Sequence, residues 1–204
     1  MKAIDLFNKW VELGKDKGME INHSDSVEYM TSIIPDRILN TKFSFLDIGC
    51  GNGWVVNSFS KIQNCILSVG IDGASNMIEK AILRDQESVY LHLDINNISE
   101  YKNTFDVVFS MEVLYYLQDP ESIIEYIFKN LLNNGGFFVL GIDHYLENTA
   151  SLNWPEELNV KMKTYPVSEW KMMFENVGFS NICMFQFGKT KDWEGTLVLS
   201  GEKL

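Results

Sequence analysis

The sequence predicts an α/β fold built on a doubly wound, largely parallel sheet, and three observations predict it. Apolar runs rich in Val, Ile and Phe, as in strands buried on both faces, alternate with segments of helical periodicity. The first of these runs, Phe45 to Ile48, enters a turn with glycines at 49, 51 and 53. The last two runs are joined only by Gly188 to Glu194, too short for a crossover, so they read as an antiparallel hairpin.

Taken in order, Asp25 and Glu28 form a capping box for a helix that Pro35 should end. Strands are expected near 43–48, 66–71, 89–94, 105–110, 136–142, 181–187 and 195–200. Between the first two, Val55, Val56, Phe59 and Ile62 fall at helical spacing, and after the second, Ser75 can cap a helix carrying Met77, Ile78, Ala81 and Ile82. Asp119 and Pro120 open another helix that stops at Asn134, Gly135 and Gly136, and a last helix runs from Ser168 to a terminator at Gly178. Length argues for one domain over 1–204: a helical N-terminal cap (1–40), a core (43–142), a lid or substrate loop (143–166), then the final helix and hairpin (167–204).

The glycine turn carries the first chemical signal. Glycine tolerates unusual dihedrals and leaves no Cβ between backbone and ligand, so Gly49, Gly51 and Gly53 allow close approach. A dinucleotide fingerprint would place its third glycine one residue later. Asp47 would repel a pyrophosphate but suits an ammonium or sulfonium group. The loop therefore favours a cationic nucleoside.

Asp47-Ile48-Gly49-Cys50-Gly51-Asn52-Gly53 resembles motif I of the class I S-adenosylmethionine-dependent methyltransferases. The resemblance implies a Rossmann-like seven-stranded sheet of order 3-2-1-4-5-7-6 with the last strand antiparallel, and S-adenosyl-L-methionine as cofactor, leaving as S-adenosyl-L-homocysteine. It implies cofactor contacts at Asp47, Gly49, Cys50, Gly51 and Gly53, and at Gly73 and Met77 after the second strand. Asp72, about twenty residues past the glycines, stands where an acid accepts from both ribose hydroxyls. At the end of the third strand, Asp94 matches the acid that meets the adenine amino group, with the Ile95 amide at the ring. The stretch Phe105 to Pro120 is similar to the segment after the fourth strand of small-molecule methyltransferases, including the O-methyltransferases of quinone biosynthesis; Met111 and Glu112 would supply backbone contacts. Many of those relatives have a histidine at the position of Tyr116, so a histidine base does not carry over.

Transfer from a sulfonium asks little beyond geometry, since in-line alignment supplies about 7 to 11 kcal/mol and a general base about a hundredfold to ten-thousandfold in rate. Tyr116 and His144 are the candidate catalytic groups; His23, Tyr115, Tyr145 and Trp154 are candidates for contacting the acceptor. The loop from Asp143 to Pro166 exceeds ordinary connection length and should face the cofactor rim, with His144, Tyr145, Glu147 and Trp154 over its mouth. His92, within a strand, reads as structural.

Composition narrows the partners. A net charge of −11 with 17 basic residues and no basic cluster disfavours nucleic acid. Three scattered cysteines suggest neither disulfides nor a metal site, and no apolar run suits a signal peptide or a membrane span, so a cytoplasmic location is expected. The expected activity is methyl transfer to an O, N or S atom of a small molecule. The alternatives are an RNA or protein methyltransferase, an NAD-dependent oxidoreductase, disfavoured by the glycine spacing and Asp47, and a non-catalytic nucleoside binder.

Overall fold

The computed structural model describes residues 1–204. Its strands are β1 (Phe43–Ile48), β2 (Cys65–Asp72), β3 (Val89–His92), β4 (Phe105–Met111), β5 (Leu132–Ile142), β6 (Ser180–Phe187) and β7 (Thr196–Glu202). They form one sheet in the order β3-β2-β1-β4-β5-β7-β6, with β7 antiparallel to both its neighbours. The helices are α1 (Ala3–Glu12), α2 (Asp16–Ser32), α3 (Asp36–Leu39), α4 (Trp54–Ser60), α5 (Ser75–Arg84), α6 (Pro120–Tyr126), α7 (Trp154–Glu157) and α8 (Val167–Val177). No helix is long and apolar enough to cross a membrane.

Every residue of β1 is buried, and its side chains alternate between two cores. Phe43 and Phe45 join Met30, Val56 and Phe59 on one face; Leu46 and Ile48 join Ile124, Trp170 and Phe174 on the other. Phe45 and Phe59 stack with ring centroids 3.7 Å apart, and Phe138 stacks on Phe174 at 5.3 Å, each pair worth about 0.5–1.5 kcal/mol beyond burial. The covered sheet forces ligands to its rim, at the carboxyl ends of β1, β2, β3 and β4.

Three boundaries differ from expectation. The helix assigned to start near Asp25 begins at Asp16, so Asp25 and Glu28 are interior to α2; it ends at Ser32, and Pro35 caps α3 instead. The helix expected to reach Asn134 gives way after Tyr126 to a π turn over Ile127–Leu131, and β5 begins at Leu132. Here Leu132 pairs with Phe105 and Phe137 with Val107; Gly135 at φ +77° lets the chain loop between them, and the Asn133 amide donates to Asp106 at 2.8 Å. β3 stops at His92, leaving Asp94 to cap a 3₁₀ turn by accepting from the Asn96 amide at 3.0 Å.

Candidate active site

At the rim, Gly49, Gly51 and Gly53 adopt φ of +81°, +51° and +76°. They serve different ends. A Cβ on Gly49 would stand 2.1 Å from Val113 Cγ2, whereas one on Gly51 would meet only Met77 Sδ at 4.0 Å. Gly53 caps α4, and its Cβ would strike Ala81 and Tyr90 at 2.7 and 2.8 Å, so it allows close packing rather than access. Asp72 ties the loop to β2: one carboxylate oxygen accepts from the Gly51 amide at 2.9 Å, the other from the Ala74 amide at 2.7 Å. Each oxygen keeps acceptor capacity for a ligand. Asp47 is 3% exposed, and burial, then the charge of Asp72, push its pKa well up.

A cavity of about 1270 Å³ lies over this rim. It exceeds the roughly 300–1,000 Å³ usual for one drug-sized ligand. Its walls bring together Gly49, Gly51, Asp72, Gly73, Met77, Asp94, Ile95, Met111 and Glu112 with His23, Tyr115, Tyr116 and Trp154. Asp47 and Cys50 line a smaller adjoining cavity, and Gly53 lines neither. Tyr116 faces the cavity with its pKa raised by burial, so its phenol stays neutral and can donate a hydrogen bond.

Three residues expected over the mouth lie elsewhere, and of these Glu147 is exposed and accepts from the Val167 amide at 3.0 Å. His144 is fully buried, its Nδ1 3.0 Å from the Ser151 carbonyl and its Nε2 2.8 Å from Thr164 Oγ1. Burial holds its pKa below the usual histidine value. Tyr145 is equally buried; its hydroxyl donates to the Gly195 carbonyl at 2.9 Å and accepts from the Gln186 amide at 3.0 Å, and burial pushes its pKa up to about 12. Neither lines the mouth. The loop after β5 is anchored by these groups and presents Trp154 to Lys161 to the cavity instead. His92, by contrast, bonds the Gly73 carbonyl at 3.0 Å, a structural place.

The N-terminal helices form the other wall. Ile4 of α1 packs where a Cβ on Gly73 would be 2.7 Å away, Asn8 Oδ1 caps α5 by accepting from the Asn76 amide at 2.9 Å, and Phe7 meets Tyr116 edge-on at 5.3 Å. Asp16, 3% exposed, anchors α2 to Lys80 at 2.8 Å and to the Asn52 amide at 3.3 Å. Of the residues in the N-terminal helices, Trp10, Met19 and the expected acceptor contact His23 reach the cavity. Tyr29 stacks on Phe187 and Met30 is core. The amphipathic pattern of residues 3–12 was the available signal for α1.

Where α2 meets the end of β4, three ionisable groups converge. Glu112, at φ +61°, accepts from the Tyr115 hydroxyl at 2.6 Å and from the Asp143 amide. Burial, then the Asp143 charge, raise its pKa to about 8. His23 Nε2 is 3.6 Å from Asp143 Oδ2. Burial lowers the His23 pKa, but Asp143 and Glu112 outweigh it and bring the value to about 9.

A family model for a methyltransferase domain matches residues 9–184. A ubiquinone biosynthesis O-methyltransferase of a Ruegeria species is 31% identical over 139 residues, 62% of this chain and 55% of that protein. A tRNA U34 carboxymethyltransferase of Aliivibrio salmonicida is 32% identical over 150 residues, 68% of this chain and 45% of that protein. The chain thus spans about half the length of the curated relatives it matches. The methyltransferase in a Haloferax volcanii complex with the Trm112 methyltransferase activator shares the fold, with TM-score 0.82, 24% identity and 97% of each chain covered. With a glycine rim of this form and a family match over most of its length, the chain belongs to the class I S-adenosylmethionine-dependent methyltransferases.

Proposed function

We propose that the chain transfers the methyl group of S-adenosylmethionine to an O, N or S atom of a small molecule, by in-line displacement within the cavity over the rim. The adenosyl part lies along Gly49, Gly51, Asp72, Asp94 and Ile95, with its charged end toward Asp47. The acceptor takes the remaining space, beside the paired rings of Phe7 and Tyr116 and facing Trp10 and Trp154. The size of the cavity supports this reading, because it leaves room for a second small ligand. Alignment supplies most of the acceleration; Tyr116 orients the acceptor rather than removing its proton.

The tRNA-acting relative supports a second reading, methylation of RNA. A net charge of −11, with Asp5, Glu156 and Glu157 on the cavity wall, weighs against a polyanion there. Incubation of the protein with labelled S-adenosylmethionine and, separately, a small-metabolite extract and total tRNA distinguishes the two. Label is expected in the metabolite fraction; label confined to tRNA overturns the small-molecule reading.

A further inference from the structure

We propose that His23, Glu112 and Asp143 form a binding site for one divalent transition-metal ion, opening onto the acceptor side of the cavity. Their ligand atoms all lie within 4.8 Å of one another. The three come from α2, the end of β4 and the end of β5, so the tertiary fold, not a local sequence motif, assembles them.

Four observations carry the proposal. First, His23 Nδ1 is 2.7 Å from the Met19 carbonyl, which can only accept, so Nδ1 keeps its proton and Nε2 is the ring atom turned toward the carboxylates, where a metal ion would replace the proton that Nε2 carries without one. A backbone carbonyl that fixes the tautomer in this way is the usual support of a metal-binding histidine. Second, Nε2 and Asp143 Oδ2 are 3.6 Å apart. That is long for a hydrogen bond but close to the roughly 3.4 Å between two ligands at about 2.1 Å from a tetrahedral ion. Third, Asp143 is 6% exposed, and its Oδ1 has no hydrogen-bond partner. A buried, unpaired carboxylate oxygen is costly unless a cation meets it. Fourth, Glu112 holds a left-handed backbone that a non-glycine residue rarely adopts, while Tyr115 and the Asp143 amide orient its carboxylate.

The donor set selects the ion. One imidazole and two carboxylates without a thiol suit Mn²⁺, Fe²⁺ or Zn²⁺ better than Mg²⁺ or Ca²⁺. The widest ligand pair, up to 4.8 Å apart, must close by up to about 1.4 Å to reach the tetrahedral separation, a movement of the side chains onto the ion. Three protein ligands leave a coordination position open, and His23 and Glu112 both line the cavity.

This deepens the small-molecule reading and rests on it for the acceptor's identity: a hydroxyl-bearing acceptor binds through its oxygen. The ion lowers the hydroxyl pKa, and the proton leaves to solvent. An oxygen lone pair then forms the new bond to the methyl carbon as the carbon–sulfur pair returns to sulfur, leaving a neutral thioether. The ion would do the work that the histidine of related enzymes does at the position of Tyr116.

Metal binding is tested without cofactor, so that the two readings can fail separately. The full chain, freed of metal by chelation, is titrated with Mn²⁺ by electron paramagnetic resonance and with Zn²⁺ by calorimetry. Mn²⁺ avoids the exposed thiol of Cys183. One ion per chain is expected, with affinity falling at least about tenfold in both His23→Gln and Asp143→Asn, while S-adenosylhomocysteine binding persists. If Asp143→Asn does not fold, His23→Gln alone decides, since its ring is partly exposed. Absence of a saturable site up to millimolar Mn²⁺ or Zn²⁺, or unchanged affinity in the folded variants, overturns the metal site. Loss of homocysteine-product binding in the wild type, with metal binding intact, would count against the cofactor reading instead.

Discussion

The glycine rim and the N-terminal cap enclose the same cavity by opposite means. The rim is shaped by backbone: three glycines at positive φ, amides turned onto Asp72, and strand ends in fixed register. The cap is shaped by side chains reaching across the fold, such as Asp16 to Lys80, Asn8 to Asn76 and Phe7 to Tyr116. Backbone constraints leave a spacing that sequence alone displays; long-range side-chain contacts leave none. The rim should therefore govern ligand affinity, and the cap should govern stability and access.

The largest effect is expected at Gly49. Alanine there must adopt φ +81° and stand 2.1 Å from Val113 Cγ2. A cost of about 3 kcal/mol corresponds to a roughly hundredfold loss of S-adenosylhomocysteine affinity by calorimetry. A change of less than about threefold would mean that the rim does not set affinity.

Asp47→Asn separates binding from stability at the rim. No protein donor bonds the Asp47 carboxylate, and its pKa is raised by burial, then by Asp72. For a carboxylate raised on folding, stability falls as pH climbs from the unfolded value through the folded one. Asparagine removes that dependence. The variant should melt higher than wild type at pH 8, with the difference shrinking toward pH 5, and bind S-adenosylmethionine about tenfold more weakly. Scanning calorimetry at the two pH values checks the first half; equal melting at pH 8 would place an unrecognised partner on the carboxylate.

The smallest effect is expected in the cap. Asn8→Ala removes the side-chain cap of α5 and should cost about 1 kcal/mol, a fall of about 2–4 °C in melting temperature. Equilibrium affinity for S-adenosylhomocysteine should change less than in either rim variant, whereas its dissociation, followed by stopped flow, should quicken. A larger loss of affinity here than at Gly49 would erase the distinction between the two regions.

The same distinction explains what could be read from the sequence. The alternation of strands and helices and the hairpin made of β6 and β7 were legible because burial and loop length constrain them directly, whereas the strand order came from the resemblance alone. The start of α2 was not: Asp25 and Glu28 have the form of a capping box, but the burial of Met30 and the anchoring of Asp16 extend the helix past it. At the head of β5, Asn134, Gly135 and Gly136 look like a helix stop, yet pairing of Leu132 with Phe105 draws them into a strand irregularity. His144 and Tyr145 are polar enough to suggest the mouth, but their hydrogen bonds to Ser151, Thr164, Gly195 and Gln186 turn them inward. Asp143 gave no local sign at all, since its neighbours His23 and Glu112 are distant in the chain.

The placement of α1 has a kinetic consequence. Ile4 rests on Gly73 and Phe7 on Tyr116, so the same ten-residue helix touches both the nucleoside end and the acceptor end of the cavity. Undocking it loosens both compartments together, and whatever fills either one steadies the door for the other. Spent cofactor and product would then escape in a shared opening event, and once chemistry is fast, the swing rate of this helix caps turnover.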